Sequence, residues 1–419
     1  MKVVIINTSE RRGGAAVAAG RLAKALFRNG VSVNMLVREK QSADSNVVSV
    51  NTNAIIRFAN LFRFYWERLV IFLFNHLNRK DLFCVSIANV GKDISRHPLV
   101  NNADIIHLHW VNQGFLSMQD IRKLVESGKP IVWTMHDMWP CTGICHHARE
   151  CEKYQEKCSS CFFLHSKSGQ DLSTYVFKKK EQIYNKADIS FVGCSNWLAN
   201  RARQSRLLHG KSILSIPNTL DMTIFHRQDR GKARQELGLP EDKQLLLFGA
   251  LNVTDERKGV FYLIEALKKN RHQGNIELVV FGQIKEDIRD ILPVPVHPMG
   301  YLTEEKKIAL LYNAVDLFVT SSLEENLPNT IMESMACGTP CVGFNIGGIP
   351  EMIDHLQNGY VAEYKDVEDL SRGIKWILDN ERYDELSELC IKKTQSAYSE
   401  EVIAHKYISL YKEVLKESL

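Results

Sequence analysis

The sequence predicts an α/β fold built from two doubly wound parallel sheets. Short apolar runs of strand length alternate with stretches of helical periodicity, which is the pattern of strands joined through helices. The same alternation begins again near residue 244, and 419 residues exceed what one ordinary hydrophobic core holds. We therefore expect two domains of the same class, one after the other.

The first half of the chain carries five apolar runs that we interpret as strands. A stretch of small and apolar residues at 16–27 follows the first run and is typical of a helix. Strands that are joined through helices run parallel to one another. The predicted strands are 3–6, 31–37, 103–108, 130–135 and 189–192.

The second half repeats the pattern with four strands and three helices. Open parallel sheets bind ligands beyond the carboxyl ends of their strands, so loops of both domains are expected to face a cleft. The predicted strands are 244–248, 276–281, 315–320 and 340–343, and the predicted helices are 260–268, 308–313 and 330–336. A Pro-Asn turn at 217–218 is a natural hinge, so we predict domains at 1–215 and 216–398, followed by an amphipathic helix at 399–419.

Composition and charge exclude several classes of protein. A net charge of +4 is too small for a chain of this size to indicate nucleic acid, but it permits an anionic substrate or lipid surface. The first apolar run is too short for a signal peptide, and no run approaches the roughly 20 apolar residues of a spanning helix. We expect a cytoplasmic protein with reduced cysteines, which could also lie peripherally on the inner face of the membrane.

The most informative stretch is 321–350, which reads SSLEENLPNTIMESMACGTPCVGFNIGGIP. Glu325 and Glu333 stand eight positions apart around a Pro-Asn-Thr turn, and carboxylates accept hydrogen bonds from sugar hydroxyls. The stretch resembles the donor-sugar signature of the retaining glycosyltransferases of family 4. In that family two glutamates, separated by seven residues, lie on a helix that ends in Gly-x-Pro.

The resemblance implies a fold and a reaction. The fold is GT-B, with two Rossmann-like lobes facing a cleft and a C-terminal helix that packs back on the first lobe. The reaction is transfer of a sugar from a nucleoside-diphosphate sugar to an acceptor hydroxyl with retention, in the EC 2.4 class and without a catalytic metal. The bacterial members that the chain resembles assemble surface polysaccharides such as capsule, exopolysaccharide or O-antigen.

The same resemblance assigns roles to the residues of the signature. Glu333 would bind the ribose hydroxyls of the nucleotide, and Glu325 would face the donor sugar. The diphosphate would meet backbone groups at a helix N-terminus. Those groups belong to Asn326, Leu327, Pro328, Asn329 and Thr330.

A basic pair, Arg257 and Lys258, precedes Gly259 after the first predicted strand of the second domain. Cations at this position would neutralise the departing diphosphate. The family carries Gly-Arg where this chain has Gly249 and Ala250, so one expected cation is missing. Either Arg257 supplies the lost charge or the diphosphate is held less tightly.

Three groups in the first domain are expected on the other side of the cleft. Gly13 and Gly14 form a loop after the first strand, and glycine lets backbone amides approach an anion closely. The loop resembles the family's N-terminal Gly-Gly loop, which lies near the donor phosphate and the acceptor, so both glycines are expected to bind the donor. His136 follows a strand and could bind sugar hydroxyls or move a proton, with Asp137 beside it. His109 is a second acceptor-side candidate. The alternative for His136 is a structural role.

Five cysteines fall within the loop 141–161. Four of them have the spacing C-x5-C-x6-C-x2-C, and the closing pair has the spacing of a zinc knuckle. We predict a structural zinc site, with reduced thiols and an iron–sulfur site as the alternatives. The predicted ligands are Cys145, Cys151, Cys158 and Cys161.

Segment 58–77, FANLFRFYWERLVIFLFNHL, has apolar residues at helical spacing and arginine or lysine flanks. This pattern fits an interfacial helix on anionic lipid, and it fits a buried helix equally well. The flanking basic residues are Arg57, Arg63, Arg68, Arg79 and Lys80. The interfacial interpretation suggests an acceptor that is lipid-linked, or else an oligosaccharide, at the inner membrane face.

Two other functions are compatible with parts of the sequence. A sugar-nucleotide epimerase has a similar two-lobed build but would need no acceptor, and the Glu-x7-Glu arrangement argues against it. A non-catalytic carbohydrate-binding protein is supported only by Ala250 in place of the family's arginine.

Overall fold

The computed structural model describes residues 1–165, 168–252, 255–270, 275–283 and 291–417. It divides into two compact units, which we call unit 1 and unit 2. Unit 1 is Met1–Pro217 together with Ile403–Leu419, and unit 2 is Asn218–Val402. The boundaries expected from the sequence, after residues 215 and 398, lie two and four residues from these.

Unit 1 is built on a seven-stranded sheet with the order β3-β2-β1-β4-β5-β6-β7, in which every neighbouring pair is parallel. Strands β4, β5 and β6 are buried along their whole length, because helices cover a parallel sheet on both faces. The strands are β1 (Lys2–Ser9), β2 (Ser32–Glu39), β3 (Val47–Ser49), β4 (Ile105–Leu108), β5 (Ile131–Met135), β6 (Ile189–Gly193) and β7 (Ile213–Ser215).

The helices of unit 1 lie in the connections between these strands. They are α1 (Gly14–Arg28), α2 (Ala54–Phe74), α3 (Pro98–Asn101), α4 (Met118–Val125), α5 (Leu172–Tyr184) and α6 (Asn196–Arg203). Among the helices of the described ranges, none is both long and apolar enough to cross a bilayer.

Unit 2 is built on a six-stranded parallel sheet with the order β10-β9-β8-β11-β12-β13. Its strands are β8 (Gln244–Asn252), β9 (Ile276–Gln283), β10 (Val296–Gly300), β11 (Leu317–Thr320), β12 (Cys341–Phe344) and β13 (Gly359–Ala362). Its helices are α7 (Arg230–Leu237), α8 (Val260–Asn270), α9 (Glu305–Ala314), α10 (Asn329–Ala336), α11 (Ile349–Met352), α12 (Val367–Leu378) and α13 (Tyr383–Tyr398).

Both sheets contain a point at which the strand order reverses. In unit 1 the reversal lies between β1 and β4, and in unit 2 it lies between β8 and β11. Connections leave such a point toward opposite faces of the sheet, so a crevice opens beyond the carboxyl ends of the two strands. The two parallel-sheet α/β units confirm the predicted fold class, and the reversal points show where each unit can bind a ligand.

The last helix, α14 (Glu400–Glu417), joins unit 1 through buried tyrosines. The Tyr411 hydroxyl bonds His107 Nδ1 at 2.7 Å. On the other side of that ring, Nε2 bonds Thr134 Oγ1 at 2.8 Å, and Thr134 also meets the Tyr407 hydroxyl at 2.8 Å. His107 is therefore a structural residue that ties α14 to strands β4 and β5.

His107 is expected to make the stability of the protein depend on pH. Burial lowers its pKa to about 3, whereas an unfolded histidine has a pKa near 6.5. Between these values the unfolded chain binds a proton that the folded chain does not, so stability falls as the pH falls through this window. At pH 5 the loss relative to pH 7 is about 2 kcal/mol for this one group.

Equilibrium urea unfolding at pH 7 and pH 5 measures this contribution. The difference in unfolding free energy between the two pH values should shrink by about 2 kcal/mol in His107→Gln. It should not change in His76→Gln, whose side chain is exposed. An unchanged difference in His107→Gln would show that the histidine is protonated in the folded state.

Candidate active site

In unit 2 the loops that follow β8 and β11 are held together by backbone contacts at the reversal point. The Leu323 amide donates to the Arg257 carbonyl oxygen at 2.7 Å. The Ser321 hydroxyl donates to the Gly259 carbonyl oxygen at 2.8 Å. The basic pair and the first glutamate of the signature, which are far apart in sequence, are therefore neighbours in space.

Gly259 permits this close approach. Its φ of 64° lies in the left-handed region, and a Cβ at this position would lie 1.9 Å from the Ser321 carbonyl oxygen. No side chain fits at that distance, so any other residue would push the two loops apart. The glycine is needed for the geometry of the site as well as for the turn.

Lys258 and Glu325, both predicted as catalytic, form an ion pair. The distance from Lys258 Nζ to Glu325 Oε1 is 2.5 Å, and both side chains are partly buried. The lysine charge is thus balanced by a carboxylate in this structure. Because an ammonium carries three N–H donors, a diphosphate could bind Lys258 beside Glu325 or in its place. If it takes the place of Glu325, the released carboxylate could accept a hydrogen bond from a donor sugar.

Arg257 has a different environment from Lys258. Its guanidinium forms a two-pronged pair with Asp255, with distances of 3.0 Å from Nε and 2.6 Å from Nη2. Burial would raise the pKa of Asp255, but its bonds with Arg257 lower it. Ala250, at the position of the family's arginine, is buried on β8. The role of Arg257 as a second diphosphate cation stays a prediction.

Helix α10 presents the second glutamate of the signature. Pro328 caps its N-terminus without a side-chain hydrogen bond. Proline has no N–H, so of the backbone groups predicted to meet a diphosphate, this residue can offer no donor. Glu333 lies one turn further on and is buried, and the Tyr312 hydroxyl donates to its Oε2 at 3.2 Å. Burial and the Glu333 charge raise the pKa of Tyr312, which therefore stays a donor.

A third loop, after β12, packs against residues 325–326 of the loop after β11 and was not identified from the sequence. Gly347 has a φ of 59°, and a Cβ there would lie 1.9 Å from the Glu325 carbonyl oxygen. The next residue, Gly348, donates its amide to the Asn326 carbonyl oxygen at 2.7 Å. The signal for this loop was the Gly-Gly pair directly after a strand, which the sequence interpretation did not use.

In unit 1 the carboxyl end of β1 is hydrogen-bonded to the loop after β4 at the reversal point. The Trp110 amide donates to Asn7 Oδ1 at 2.9 Å, and the Thr8 hydroxyl donates to the Asn112 carbonyl oxygen at 3.1 Å. Gly13, with a φ of 92°, caps helix α1 without a side-chain hydrogen bond, and both Gly13 and Gly14 are exposed. The glycine loop is therefore accessible at the N-terminus of a 15-residue helix.

His109 and His136 face each other at the ends of β4 and β5. Their rings stack with centroids 5.1 Å apart, and His109 Nδ1 bonds His136 Nε2 at 2.9 Å. Burial lowers the pKa of His136 to about 4 and that of His109 well below its ordinary value, so both are neutral at pH 7. His109 Nε2 is buried and has no hydrogen-bond partner among the described residues.

Asp137 holds this region in place. It accepts hydrogen bonds from Trp110 Nε1 at 2.8 Å and from His146 Nδ1 at 2.7 Å, and it accepts the Trp139 amide at 2.8 Å. Burial would raise its pKa, but the charge and hydrogen bond of His146 lower it to about 2. These contacts give Asp137 a positioning function in this structure, and its predicted acceptor contact stays a prediction. His146 was not identified from the sequence.

The four cysteines of the predicted zinc site lie close enough to influence one another's ionisation. Burial is the main cause that raises the pKa of Cys158 to about 11 and of Cys161 to about 12, and neighbouring thiols add to it. The Gly143 amide points at Cys158 Sγ at 3.2 Å. Across the described ranges, no three Cys, His, Asp or Glu side chains are arranged to hold a metal ion. The zinc site stays a prediction.

Comparison with known proteins identifies the family. A model of the glycosyltransferase family 4 matches residues 12–223, and a model of the glycosyl transferases group 1 matches residues 229–397. The chain belongs to the family 4, group 1 glycosyltransferases. The resemblance stated from the sequence is thereby confirmed.

Two relatives and one solved structure illustrate the similarity. The N-acetyl-alpha-D-glucosaminyl L-malate synthase of Bacillus anthracis is 26% identical over 214 residues, which is 49% of this chain and 55% of that protein. The chain thus spans about half the length of that relative. WcaC of Escherichia coli K12, named provisionally as a colanic acid biosynthesis glycosyl transferase, is 22% identical over 98% of this chain and 99% of its own.

The solved structure is Anabaena Alr3699/HepE in complex with UDP and glucose. It superimposes with a TM-score of 0.61 at 16% identity, covering 99% of this chain and 100% of that one. At this identity the likeness shows the fold alone, and it confirms the GT-B fold expected from the sequence.

Gly259→Ala tests the close approach of the loops that follow β8 and β11. Gly238 is a matched control, because its φ of 65° is nearly the same but a Cβ there meets nothing within 4 Å. Left-handed backbone should cost each variant about 1–2 kcal/mol of stability. Gly259→Ala should lose about 1–3 kcal/mol more, because a side chain is forced against backbone. Equal losses in thermal or urea unfolding would mean that the loops can separate freely.

Elemental analysis tests the predicted zinc site. Protein purified without chelators should carry about one zinc per chain. Cys158→Ser/Cys161→Ser should lose it, whereas Cys194→Ser, a buried cysteine outside the loop, should keep it. If the wild-type protein contains no metal and is nevertheless normally stable, the prediction of a zinc site is wrong.

Proposed function

We propose that this protein transfers a sugar from a nucleoside-diphosphate sugar to an acceptor hydroxyl with retention of configuration. The observation that carries the proposal is the Lys258–Glu325 ion pair at the reversal point of the unit 2 sheet, with Glu333 buried on α10 eight residues after Glu325. One cation and two carboxylates at the carboxyl ends of two strands match a diphosphate with hydroxyl-bearing groups on either side.

The donor would be held by three kinds of contact. Lys258 and the N-terminus of α10 would receive the diphosphate, since both offer positive charge and N–H donors. Glu333, kept in place by Tyr312, would accept hydrogen bonds from the ribose. Glu325 would turn from Lys258 toward the sugar hydroxyls. Stabilising charge on the departing diphosphate lowers the barrier, because that charge develops in the transition state.

The acceptor side would involve the neutral imidazoles of His109 and His136. A neutral ring nitrogen can accept a hydrogen bond from an attacking hydroxyl or bind a sugar hydroxyl. In the retaining reaction that we propose, the acceptor attacks from the face that the diphosphate leaves. A diphosphate oxygen takes the acceptor proton, so no protein nucleophile is needed. We expect no catalytic metal, with Lys258 supplying the positive charge.

Related proteins support the finer parts of this proposal. HepE, of the same fold, was solved with UDP and glucose, which supports a nucleoside-diphosphate sugar as the donor. The name of WcaC supports a role in the assembly of a bacterial surface polysaccharide. An acceptor that is lipid-linked or an oligosaccharide fits that role, with the protein working in the cytoplasm.

Nucleotide binding and transfer in matched variants test the proposal. A thermal-shift screen with UDP, GDP, ADP and their sugars identifies the donor, because a ligand that binds only the folded state raises its apparent stability. Glu333→Gln should weaken nucleotide binding by roughly 10–100-fold, the value of hydrogen bonds to a charged group. Glu325→Gln should keep nucleotide binding and lose roughly 100–1,000-fold in transfer rate.

Glu324→Gln is the matched control for both variants, since it neighbours Glu325 but falls outside the Glu-x7-Glu spacing. Full transfer activity in both Glu333→Gln and Glu325→Gln would eliminate the assignment. Turnover of a nucleotide sugar without any acceptor would show an epimerase instead. Failure to bind any nucleoside diphosphate would favour the non-catalytic carbohydrate-binding protein. The anomeric configuration of the product, read by NMR, decides retention.

A further inference from the structure

Helix α2 turns an apolar face to solvent. Its residues recur at spacings of three and four, which places them along one side of a helix. They are between 44% and 80% exposed. We call this set the outer face of α2, and it comprises Ile55, Phe58, Phe62, Tyr65, Leu69 and Leu73. The buried-helix interpretation of this segment is therefore wrong for this face.

Exposed apolar residues are concentrated on α2 and the segment that follows it. Of the 21 large hydrophobic residues that are exposed in the described part of the chain, eleven lie between Ile55 and Phe83. Single exposed hydrophobic residues are normal on soluble proteins, but contiguous groups mark interaction sites. Trp66 and Leu61 border the outer face and extend it.

The opposite side of the helix is buried and carries polar and charged residues beside the apolar Ile71. Glu67 is fully buried and accepts the amides of Ile87 and Ala88 at 2.8 and 2.9 Å. Arg68 pairs with Glu67 at 3.0 Å and donates to the Val85 carbonyl oxygen at 2.9 Å. Buried charges are costly unless they are paired and hydrogen-bonded, and here they are. These contacts fix the rotation of α2, so the apolar side must point outward.

Arg68, predicted as a positive flank for lipid, is thus an internal residue. The remaining flanks are at the surface: Arg57, Arg79 and Lys80 are exposed, and Arg63 is partly exposed. The only carboxylate between 54 and 80 is Glu67, which is buried. Asp81, directly after Lys80, is partly exposed, so the surface around the outer face of α2 carries four arginine or lysine charges against this one carboxylate.

The helix is also connected to the acceptor-side residues of unit 1. Arg68 Nη2 meets Ser86 Oγ at 3.4 Å, and Ser86 Oγ meets His146 Nε2 at 3.2 Å. His146 in turn bonds Asp137 at 2.7 Å, next to His136. Whatever the outer face of α2 binds is therefore held at a fixed orientation to the loops that carry these histidines.

A second contact leads to the loop after β4. Gly114 has a φ of 76°, and a Cβ there would lie 2.8 Å from the Phe64 amide nitrogen on α2. This loop begins at His109 and includes Asn112, whose side-chain nitrogen is buried without a hydrogen-bond partner in the described chain. The backbone of α2 thus packs directly against a loop with unused polar groups.

The charge and the aromatic content favour a lipid bilayer over a second copy of the chain. A symmetric pair would place the same face, with the same positive flanks, against itself. Like charges around such an interface repel, whereas the head groups of anionic lipids attract each of them. Phe, Tyr, Trp and Leu on one side of a helix with basic flanks are typical of helices that lie in the membrane interface.

We propose that the outer face of α2 docks on the surface of an anionic lipid bilayer. Resting on the proposed function, the docking would present the loops of His109 and His136 to an acceptor whose lipid part stays in the membrane. The helix lies in the interface and does not span the bilayer.

Vesicle co-sedimentation of the full chain, without donor or acceptor, tests the proposal independently of transfer. Wild-type protein should bind vesicles of phosphatidylcholine with 30% phosphatidylglycerol at least tenfold better than pure phosphatidylcholine at about 0.1 M salt, and the difference should shrink at 0.5 M salt as charges are screened. Nucleotide binding, measured separately by thermal shift, should be the same with and without vesicles. A failure of vesicle binding can therefore be told apart from a failure of nucleotide binding.

Two pairs of exposed residues provide matched variants. Phe58→Ser/Phe62→Ser should weaken binding to anionic vesicles at least tenfold, and Phe27→Ser/Tyr175→Ser, which removes equally exposed rings elsewhere, should not. Arg79→Gln/Lys80→Gln should abolish most of the preference for anionic vesicles. Lys306→Gln/Lys307→Gln, which removes two exposed lysines of unit 2, should leave it unchanged.

Trp66 supplies a direct readout, because it is the one tryptophan of the described chain that is highly exposed. Brominated lipids should quench the tryptophan fluorescence of the wild-type protein and should not quench that of Trp66→Phe. Wild-type affinity in Phe58→Ser/Phe62→Ser, equal binding to neutral and anionic vesicles, or no binding would each overturn the proposal. So would light scattering that shows a dimer which Phe58→Ser/Phe62→Ser converts to monomer.

Discussion

The close packing of two backbone segments at the reversal point of the unit 2 sheet is the constraint on which the candidate site of that unit depends. Gly259 lies against the carbonyl of Ser321 where no side chain would fit, and Gly347 lies in the same way against the carbonyl of Glu325. Three loops from three strands are thereby fixed at one place. The Lys258–Glu325 ion pair follows from this packing, because neither side chain could reach the other if the loops were further apart.

Unit 1 uses a different means to fix its loops. His109 and His136 are neutral and stacked, and Asp137 is held by three hydrogen bonds. A line of buried polar side chains continues from Asp137 through His146 and Ser86 to Arg68 on α2. Hydrogen bonds in a region without water are directional and costly to break, so this line orients α2 with respect to the histidines.

The sequence predicted the fold class well because the central strands are buried on both faces and read as uninterrupted apolar runs. The edge strands β3, β7, β10 and β13 are three to five residues long and partly exposed, so they carry no such signal and were not among the predicted strands. Glu325 and Lys258 could each be predicted from a local motif. Their pairing could not, since it depends on the order of strands in the sheet. In the sequence, nothing distinguishes Tyr312 from an apolar residue of a helix, so its contact with Glu333 could not be predicted.

Helix α2 shows a further limit of prediction from the sequence. Periodicity reveals an apolar stripe in the sequence, but it does not tell whether the stripe faces the core or the solvent. Only the partners of Glu67 and Arg68, which come from residues 85–88, decide the rotation of the helix. Those partners are mostly backbone groups, which every residue type carries, so the sequence contains no specific signal for them.

The ion pair between Lys258 and Glu325 has a consequence for selectivity among anions. A small anion such as inorganic phosphate would place a second negative charge at Lys258 beside the Glu325 carboxylate, and two like charges that share one cation repel each other. A ligand that brings both negative charge and several hydroxyl groups can bind Lys258 with the one and Glu325 with the other. The ion pair is therefore expected to favour such ligands over small phosphates.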